Sequence, residues 1–302
     1  MRRLSVILLV CLASTLNAGE KKKGIEPTAA AVPYGSHERQ VLDFYQAKSD
    51  APTPVVFHIH GGGWQGGDKK GVGNLKLYLD NGISVVSINY RYVKQALAMK
   101  IDPPVKAPLE DAARALQFVR SKAKEWNIDK KRIGATGGSA GGCSSLWLAF
   151  HDDMAHPKST DPVARESTRL ACAALNGPQT SLDPKELREW MPNYGYGAHA
   201  FGFPSFQAFY DGREKVLKWL KEYSPIEHVS KDDPPIFMEF PSQKVKPVVG
   251  EKQADPTHSA VLGIKLAERM KEVGIEAIVV YPGVTHPEYK NGAAFLIRKL
   301  KG

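Results

Sequence analysis

The sequence predicts an α/β fold, with a mostly parallel central sheet and helices on both of its faces. Three observations predict it: short apolar runs recur along the chain, helical patterns separate them, and glycine-rich stretches follow two of the runs. Alternation of strands and helices is typical of a parallel sheet that is buried on both sides. The runs typical of strands are residues 40–45, 55–60, 83–90, 133–136, 171–175, 236–240 and 277–281.

Two segments between these runs have apolar residues at the spacing of one helix face. The first carries Leu109, Ala112, Ala113, Leu116, Val119, Ala123 and Trp126, and the second, residues 259–273, carries Val261, Leu262, Leu266 and Met270. The chain of 302 residues is 42% hydrophobic and 24% charged, which is ordinary for a globular protein. No internal repeat or second core is visible, so a single domain is expected over residues 34–302.

The N-terminal part of the sequence has a different composition. Residues 1–18 combine Arg2 and Arg3, a short apolar run and a small-residue end, which is typical of a secretory signal peptide cleaved near Ala18. Residues 19–33 are rich in lysine, alanine and proline, without periodicity, and predict a flexible leader. We therefore expect export to the periplasm or the medium, with no stable membrane insertion, because the apolar run is too short to span a bilayer.

Charge and cysteine content exclude several classes of protein. The formal net charge is +9, of which residues 1–18 supply two, but no nucleic-acid motif accompanies the excess. We expect no nucleic-acid partner. Only Cys143 and Cys172 lie beyond the signal segment, which is too few for a disulfide framework.

The stretch "TGGSAGG", residues 136–142, lies directly after one strand run and before an apolar segment. It contains glycine two residues before and two residues after Ser139. This is the nucleophile-elbow pattern, in which small neighbours allow a strained strand-to-helix turn that exposes the serine hydroxyl. Ser139 is therefore a candidate nucleophile.

The stretch "HIHGGGWQGGDKK", residues 58–70, follows another strand run. A phosphate-binding P-loop needs a lysine after its closing glycine, but Asp68 follows Gly67. A zinc site is weakly supported, because His58 and His60 would point to opposite faces of a strand. An oxyanion hole remains, in which backbone N–H groups beside glycine stabilise the charge that forms when a serine attacks a carbonyl.

These two motifs, with "NYR" at 89–91 and "YPGVTH" at 281–286, resemble the hormone-sensitive-lipase-like esterases of the α/β-hydrolase fold. The strings "VLDFY" and "HGGGWQGGDK" are most similar to secreted carbohydrate esterases of the acetylxylan and feruloyl type. The resemblance implies Ser139 as nucleophile and the N–H groups of Gly62, Gly63 and Ala140 as the oxyanion hole. It also implies His286 as general base, because that residue follows the last strand. His60 is expected to support the oxyanion loop, and His258 to cap a helix.

The acid of the triad departs from the family pattern. Lys244 and Lys246 stand where an aspartate is expected, and a lysine cannot accept the imidazole N–H. Asp255 stands just before a predicted helix and 31 residues before His286, which indicates an insertion and makes Asp255 the expected acid. Glu251 is the alternative, and an absent acid with impaired catalysis is a third possibility.

Residues 177–224 break the strand–helix rhythm and predict a cap over the elbow. Nine of the 27 aromatic residues lie between Trp190 and Trp219. Most of them are expected to form a small core within the cap, and two or three to contact substrate. Trp64 is expected to bind substrate because its motif lies beside the nucleophile.

The sequence thus predicts an exported serine esterase that acts on small or polysaccharide esters with short acyl groups. Covalent catalysis by serine, histidine and aspartate requires no metal or cofactor, and none is implied. An amidohydrolase such as kynurenine formamidase is one alternative. A carbohydrate-binding homologue without turnover is the other. The sequence does not indicate an oligomeric state.

Overall fold

The computed structural model describes residues 24–302, which are built on one eight-stranded sheet. The strands lie in the order β1-β2-β4-β3-β5-β6-β7-β8. They are β1 (Ala29–Pro33), β2 (Val41–Tyr45), β3 (Thr53–Ile59), β4 (Ser84–Ile88), β5 (Ile128–Gly138), β6 (Cys172–Asn176), β7 (Ile236–Glu239) and β8 (Ala277–Val280). β2 pairs antiparallel with both β1 and β4. All the other neighbouring strands in this order are parallel. The predicted α/β fold is confirmed.

Nine α-helices connect or follow these strands in the described part of the chain. They are α1 (Leu75–Asp80), α2 (Val93–Ala98), α3 (Lys106–Ser121), α4 (Ala140–Phe150), α5 (Pro184–Trp190), α6 (Phe206–Asp211), α7 (Arg213–Tyr223), α8 (Ala260–Glu272) and α9 (Gly292–Lys301). Three 3-10 helices cover Ala198–Phe201, Pro225–His228 and Pro256–His258. Within residues 24–302, no helix has both the length and the apolarity needed to cross a membrane.

Alternate residues of the strands pack against different helices. Phe57 and Ile59 of β3 face the core formed with α3, α4 and α8, whereas Val56 faces the smaller core formed with α1 and α9. The period of two along a strand divides the apolar residues between the two faces. Helices therefore cover both sides of the sheet, as the sequence predicts.

All seven predicted strands are present, but the expected leader is partly wrong. Ala29–Pro33 forms β1 and pairs with β2 at the sheet edge. A side-chain contact supports this pairing, because the Ala31 N–H donates to Asp43 Oδ1 at 2.7 Å. The alanines and prolines of this stretch gave no strand pattern, since its burial does not alternate. The predicted signal peptide, residues 1–18, lies outside the described residues.

The segment between β6 and β7 contains the expected aromatic-rich insertion, built from α5, α6, α7 and two 3-10 helices. Phe201 stacks on Phe209 with ring centroids 5.1 Å apart, and Phe203 and Phe206 also pack on Phe209. Most of the cluster therefore forms packing within the cap, as predicted. The cap returns to the sheet through α7.

Candidate active site

Ser139 lies on a tight turn between β5 and α4. Its backbone has φ 51° and ψ −123°. Residues other than glycine rarely adopt this conformation, which costs about 1–3 kcal/mol. The Ser139 N–H donates to the Asn176 carbonyl at 2.9 Å, and its carbonyl accepts from the Cys143 N–H at 2.9 Å. These bonds hold the strained turn that the elbow motif predicts.

The small residues of the elbow are required by close backbone contacts. A Cβ on Gly141 would clash with the carbonyl oxygens of Ile59 and His60. Helix α4 therefore begins directly against the end of β3, and its buried first turn starts one residue after Ser139. Ser139 is held at the carboxyl edge of the sheet by packing as well as by hydrogen bonds.

The imidazole that faces Ser139 belongs to His258. His258 Nε2 lies 3.0 Å from Ser139 Oγ. His258 ends the 3-10 helix Pro256–His258, just before α8, so the turn between β7 and α8 directs the ring across the sheet edge. The side chain is 36% exposed, which leaves one side of the ring open to solvent.

Asp255 completes a chain of hydrogen bonds with this histidine. Its Oδ2 lies 2.9 Å from His258 Nδ1, and its Oδ1 accepts from the His258 backbone N–H at 3.3 Å. An ionised carboxylate only accepts, so Nδ1 carries the proton and Nε2 presents its lone pair to the serine hydroxyl. This is the tautomer that a general base requires.

His286 does not face Ser139, and the sequence prediction is corrected here. Its ring stacks on Tyr289 with centroids 5.1 Å apart, and its Nδ1 accepts from the Glu288 N–H at 3.3 Å. A tight turn follows β8, where the Val284 N–H donates to the Tyr281 carbonyl. β8 is also an edge strand, three positions from β5 and thus about 14 Å away across the sheet.

The acid prediction is partly correct. Asp255 accepts from an imidazole as expected, but that imidazole is His258, three residues later. Glu251 is exposed, and so are Lys244 and Lys246 in the segment between β7 and Asp255. The sequence "DPTHS" already contained the signal, because an i,i+3 spacing brings an acid and a base together on one turn.

The glycine loop, residues 60–67, packs against the elbow. A Cβ on Gly61 would lie 3.6 Å from Ser139 Cβ, so the loop begins beside the nucleophile. Gly62 and Gly63 have φ of +100° and +61°, which glycine adopts without strain. Within residues 24–302, neither of their N–H groups donates to a protein acceptor. The Ala140 N–H lies in the first turn of α4, where N–H groups lack helical partners.

The cap contacts the glycine loop at Gly63. The His199 ring lies with Nε2 2.9 Å from the Gly63 carbonyl, and burial lowers the pKa of His199, which favours the neutral ring. Nε2 must therefore carry the proton, because a carbonyl only accepts. The Tyr196 hydroxyl lies over Gly63, where a Cβ would clash with it. Two residues of the cap thus hold the candidate oxyanion loop.

Trp64 does not line the cleft, and its expected role in substrate binding is corrected. The side chain is 1% exposed, and its indole N–H donates to Ser144 Oγ of α4 at 3.0 Å. The backbone of Trp64 has φ 55°, which turns the ring away from the cleft and under the loop. Its motif position beside the nucleophile is right, but the ring belongs to the core.

The rest of the loop motif forms a buried anchor. Lys69 Nζ pairs with Asp43 Oδ2 at 2.7 Å, and both side chains are less than a tenth exposed. Asn89 accepts from the Lys69 N–H and donates to Asp68. His60 supports the same loop as expected, because its Nδ1 lies 2.7 Å from the Gly61 carbonyl. The strings "VLDFY", "GGDK" and "NYR" therefore act together to position the glycines.

A cleft of about 390 Å³ opens above Ser139. It is lined by Gly61, Ser139, Asn176, Ser242, Asp255 and His258. His286 instead borders two other depressions, near α8 and near Tyr281. The reactive hydroxyl and the facing imidazole are thus both open to a small substrate.

In the α/β-hydrolases, an inner strand of an open sheet ends in a strained turn that carries the nucleophilic serine, and a buried helix follows the turn. The present structure has this architecture. The facing histidine and the adjoining glycine loop agree with that class. The chain belongs to the BD-FAE family of α/β-hydrolase esterases, whose model matches residues 42–255.

Individual relatives agree with this assignment. A probable carboxylic ester hydrolase, LipM, of Mycobacterium tuberculosis is 29% identical over 219 residues, covering 68% of this chain and 46% of that protein. Kynurenine formamidase of Danio rerio is 38% identical over 80 residues, covering 26% of this chain and 27% of that protein. The chain thus spans less than half the length of both curated relatives.

Among solved structures, the fold is similar to that of an acetyl ester-xyloside bifunctional hydrolase from Caldicellulosiruptor lactoaceticus. The TM-score is 0.63 and the identity 24%, with 86% of this chain and 87% of the other covered. This similarity concerns the fold.

Proposed function

We propose that the protein is an exported serine esterase that cleaves short-acyl carboxylic esters, with carbohydrate esters as its natural substrates. The observation that carries the proposal is the hydrogen-bond chain from Asp255 through His258 to Ser139. It gives the serine a base with the required tautomer and gives that base an anionic partner. The family and its esterase relatives support the same reaction.

In the proposed mechanism, His258 Nε2 removes the proton of Ser139 as Oγ attacks the ester carbonyl. The N–H groups of Gly62, Gly63 and Ala140 donate to the oxygen that becomes negative. The protonated His258 then gives its proton to the leaving alcohol, and Asp255 stabilises the imidazolium. Water attacks the acyl-serine with His258 again as base, which releases the acid and restores the enzyme.

The short-acyl preference rests on the size and lining of the cleft. Its volume of about 390 Å³ is at the low end for ligand sites, and it is bordered by glycine, serine, asparagine and the triad residues. Among residues 24–302, no large apolar side chain lines this cleft to hold a long acyl chain. The carbohydrate and export parts rest on the resemblance of the loop strings and on residues 1–18.

The second candidate function is amide hydrolysis, favoured by the local similarity to kynurenine formamidase. The same triad and oxyanion loop would attack a formamide, with an amine as leaving group. A binding protein without turnover has less support, because the triad acid is present. The Asp255 carboxylate lies 2.9 Å from His258 Nδ1.

The proposal is tested with p-nitrophenyl acetate, butyrate and decanoate, acetylated xylan, methyl ferulate and N-formylkynurenine. We expect hydrolysis of acetate to exceed that of decanoate, and acetylated xylan to be deacetylated. A fluorophosphonate probe should label Ser139, and Ser139→Ala should abolish both labelling and turnover while circular dichroism stays unchanged. Turnover that survives this substitution would exclude the mechanism, and faster cleavage of the formamide than of any ester would favour the second candidate.

A further inference from the structure

Three side chains that the proposed mechanism does not use meet at the far end of α4. His151 follows the last residue of α4, Glu222 lies in the last turn of α7, and His228 ends the 3-10 helix Pro225–His228. One potential ligand atom of each lies within 4.8 Å of the others. His151 Nε2 is 3.2 Å from Glu222 Oε1, and the two imidazole centroids are 4.9 Å apart.

The hydrogen bonds of the two imidazoles define which nitrogen is available. His151 Nδ1 lies 2.9 Å from the Asp152 carbonyl, and His228 Nε2 lies 2.6 Å from the Glu222 carbonyl. A carbonyl only accepts, so each of these nitrogens carries a proton. The other nitrogens, His151 Nε2 and His228 Nδ1, remain to bind a ligand. Metal-binding histidines commonly donate their second N–H to a backbone carbonyl in this way.

His151 and Glu222 place two potential ligand atoms side by side. With its proton on Nδ1, His151 turns the lone pair of Nε2 toward a carboxylate oxygen at 3.2 Å. A cation bound between the two atoms would be shared by both. In a tetrahedral zinc site with bonds of about 2.0–2.1 Å, neighbouring ligand atoms lie about 3.3 Å apart. The 3.2 Å between His151 Nε2 and Glu222 Oε1 is close to this ligand-to-ligand separation.

From this geometry we propose that His151, Glu222 and His228 bind a divalent transition metal ion, with zinc as the best match. Two imidazole nitrogens and one carboxylate oxygen are a ligand set that zinc prefers over magnesium or calcium. The side chains of His151 and Glu222 are 19% and 46% exposed, so water completes the coordination. None of the three residues lies in the serine motif, residues 136–142, or in the glycine-loop motif, residues 58–70.

The position of this site gives the metal a structural role. Ser139 and His151 flank the two ends of α4, about 18 Å apart along the helix axis. The ion therefore takes no part in ester cleavage. It joins the end of the nucleophile helix to the chain that leaves the cap, where Trp147 of α4 already donates to the Glu222 carbonyl at 2.9 Å.

The test is zinc binding to the full chain without an affinity tag, measured by calorimetry after treatment with a chelator. We expect one zinc ion per chain with a Kd of about 1 µM or tighter. Zinc at 100 times the Kd should raise the Tm by about 5 °C. Cobalt(II) should give the visible absorption bands of a four-coordinate site. A Kd weaker than about 10 µM would overturn the proposal.

Matched variants locate the bound ion. Glu222→Gln keeps the size of the side chain and should weaken binding at least about tenfold, and the double variant His151→Gln, His228→Gln should abolish it. His156→Gln changes an exposed histidine outside the cluster, and His258→Gln changes the histidine beside Ser139; both should bind as the parent does. Unchanged binding in Glu222→Gln and in the double variant, or its loss in His258→Gln, would overturn the proposal. If the double variant does not fold, Glu222→Gln decides alone.

Discussion

Two segments of this chain present a histidine near the carboxyl edge of the sheet, and they differ in what surrounds the ring. In residues 255–259, His258 has a carboxylate on one nitrogen and the Ser139 hydroxyl on the other. In residues 281–289, His286 has an aromatic ring on its face and a backbone N–H on Nδ1. Only His258 can therefore accept the proton of Ser139 while a carboxylate stabilises the imidazolium that forms.

The position of a histidine after a strand therefore indicates a general base less reliably than an acid partner beside the ring does. His286 follows the last strand, which is the position that the family resemblance implies for the base. In the structure, the acid Asp255 and the base His258 instead lie on one turn. Three substitutions separate the two segments by their effect on catalysis.

The largest effect is expected for His258→Ala. Without a base, Ser139 Oγ keeps its proton, and the turnover number should fall by about 10⁶-fold, as for other serine hydrolases that lose a member of the triad. The measurement is kcat on p-nitrophenyl acetate, with thermal unfolding as a control for the fold. Retention of more than about one hundredth of the activity would assign the base to another residue.

An intermediate effect is expected for Asp255→Asn. The amide can favour the wrong imidazole tautomer while still capping the 3-10 helix, so kcat should fall by up to about 10⁴-fold with little change in stability. Glu251→Gln is the matched control, because it also neutralises an exposed carboxylate in the same segment. Equal losses in the two variants would mean that charge in this region, and not the contact with His258, supports catalysis.

The smallest effect is expected for His286→Gln. Its ring contacts Tyr289 and borders depressions other than the cleft, so kcat and KM should stay within about twofold of the parent. The assay is the same ester hydrolysis, performed beside His258→Ala. A loss comparable to that of His258→Ala would show that His286 also takes part in catalysis.

The fold could be predicted from the sequence because strands that are buried on both faces leave continuous apolar runs that are easy to detect. All seven predicted strands are present, and α8 covers the second periodic segment, whereas α3 ends at Ser121, before Ala123 and Trp126 of the first. β1 was missed because an edge strand needs no apolar face, and its pairing depends on contacts such as that of Ala31 with Asp43. Sequence periodicity carries no record of such contacts.

The site was only partly predictable. Ser139 and the glycine loop are marked by local motifs, since strain and close backbone contacts restrict the residues that fit there. The orientation of Trp64 depends on the φ of one residue, which sequence does not reveal. The partner of Ser139 depends on how an insertion between β7 and α8 folds. The His151 cluster joins three distant parts of the chain, so no spacing could have indicated it.

Asp255 and His258 lie on one short turn, whereas Ser139 comes from a distant part of the chain. The imidazole–carboxylate contact spans three residues, and the serine–imidazole contact spans 119. A change that moves the segment 241–259 as a unit therefore alters the distance to Ser139 before it alters the pair itself. The position of this segment against Ser139, and not the pairing of Asp255 with His258, is what the rest of the fold has to fix.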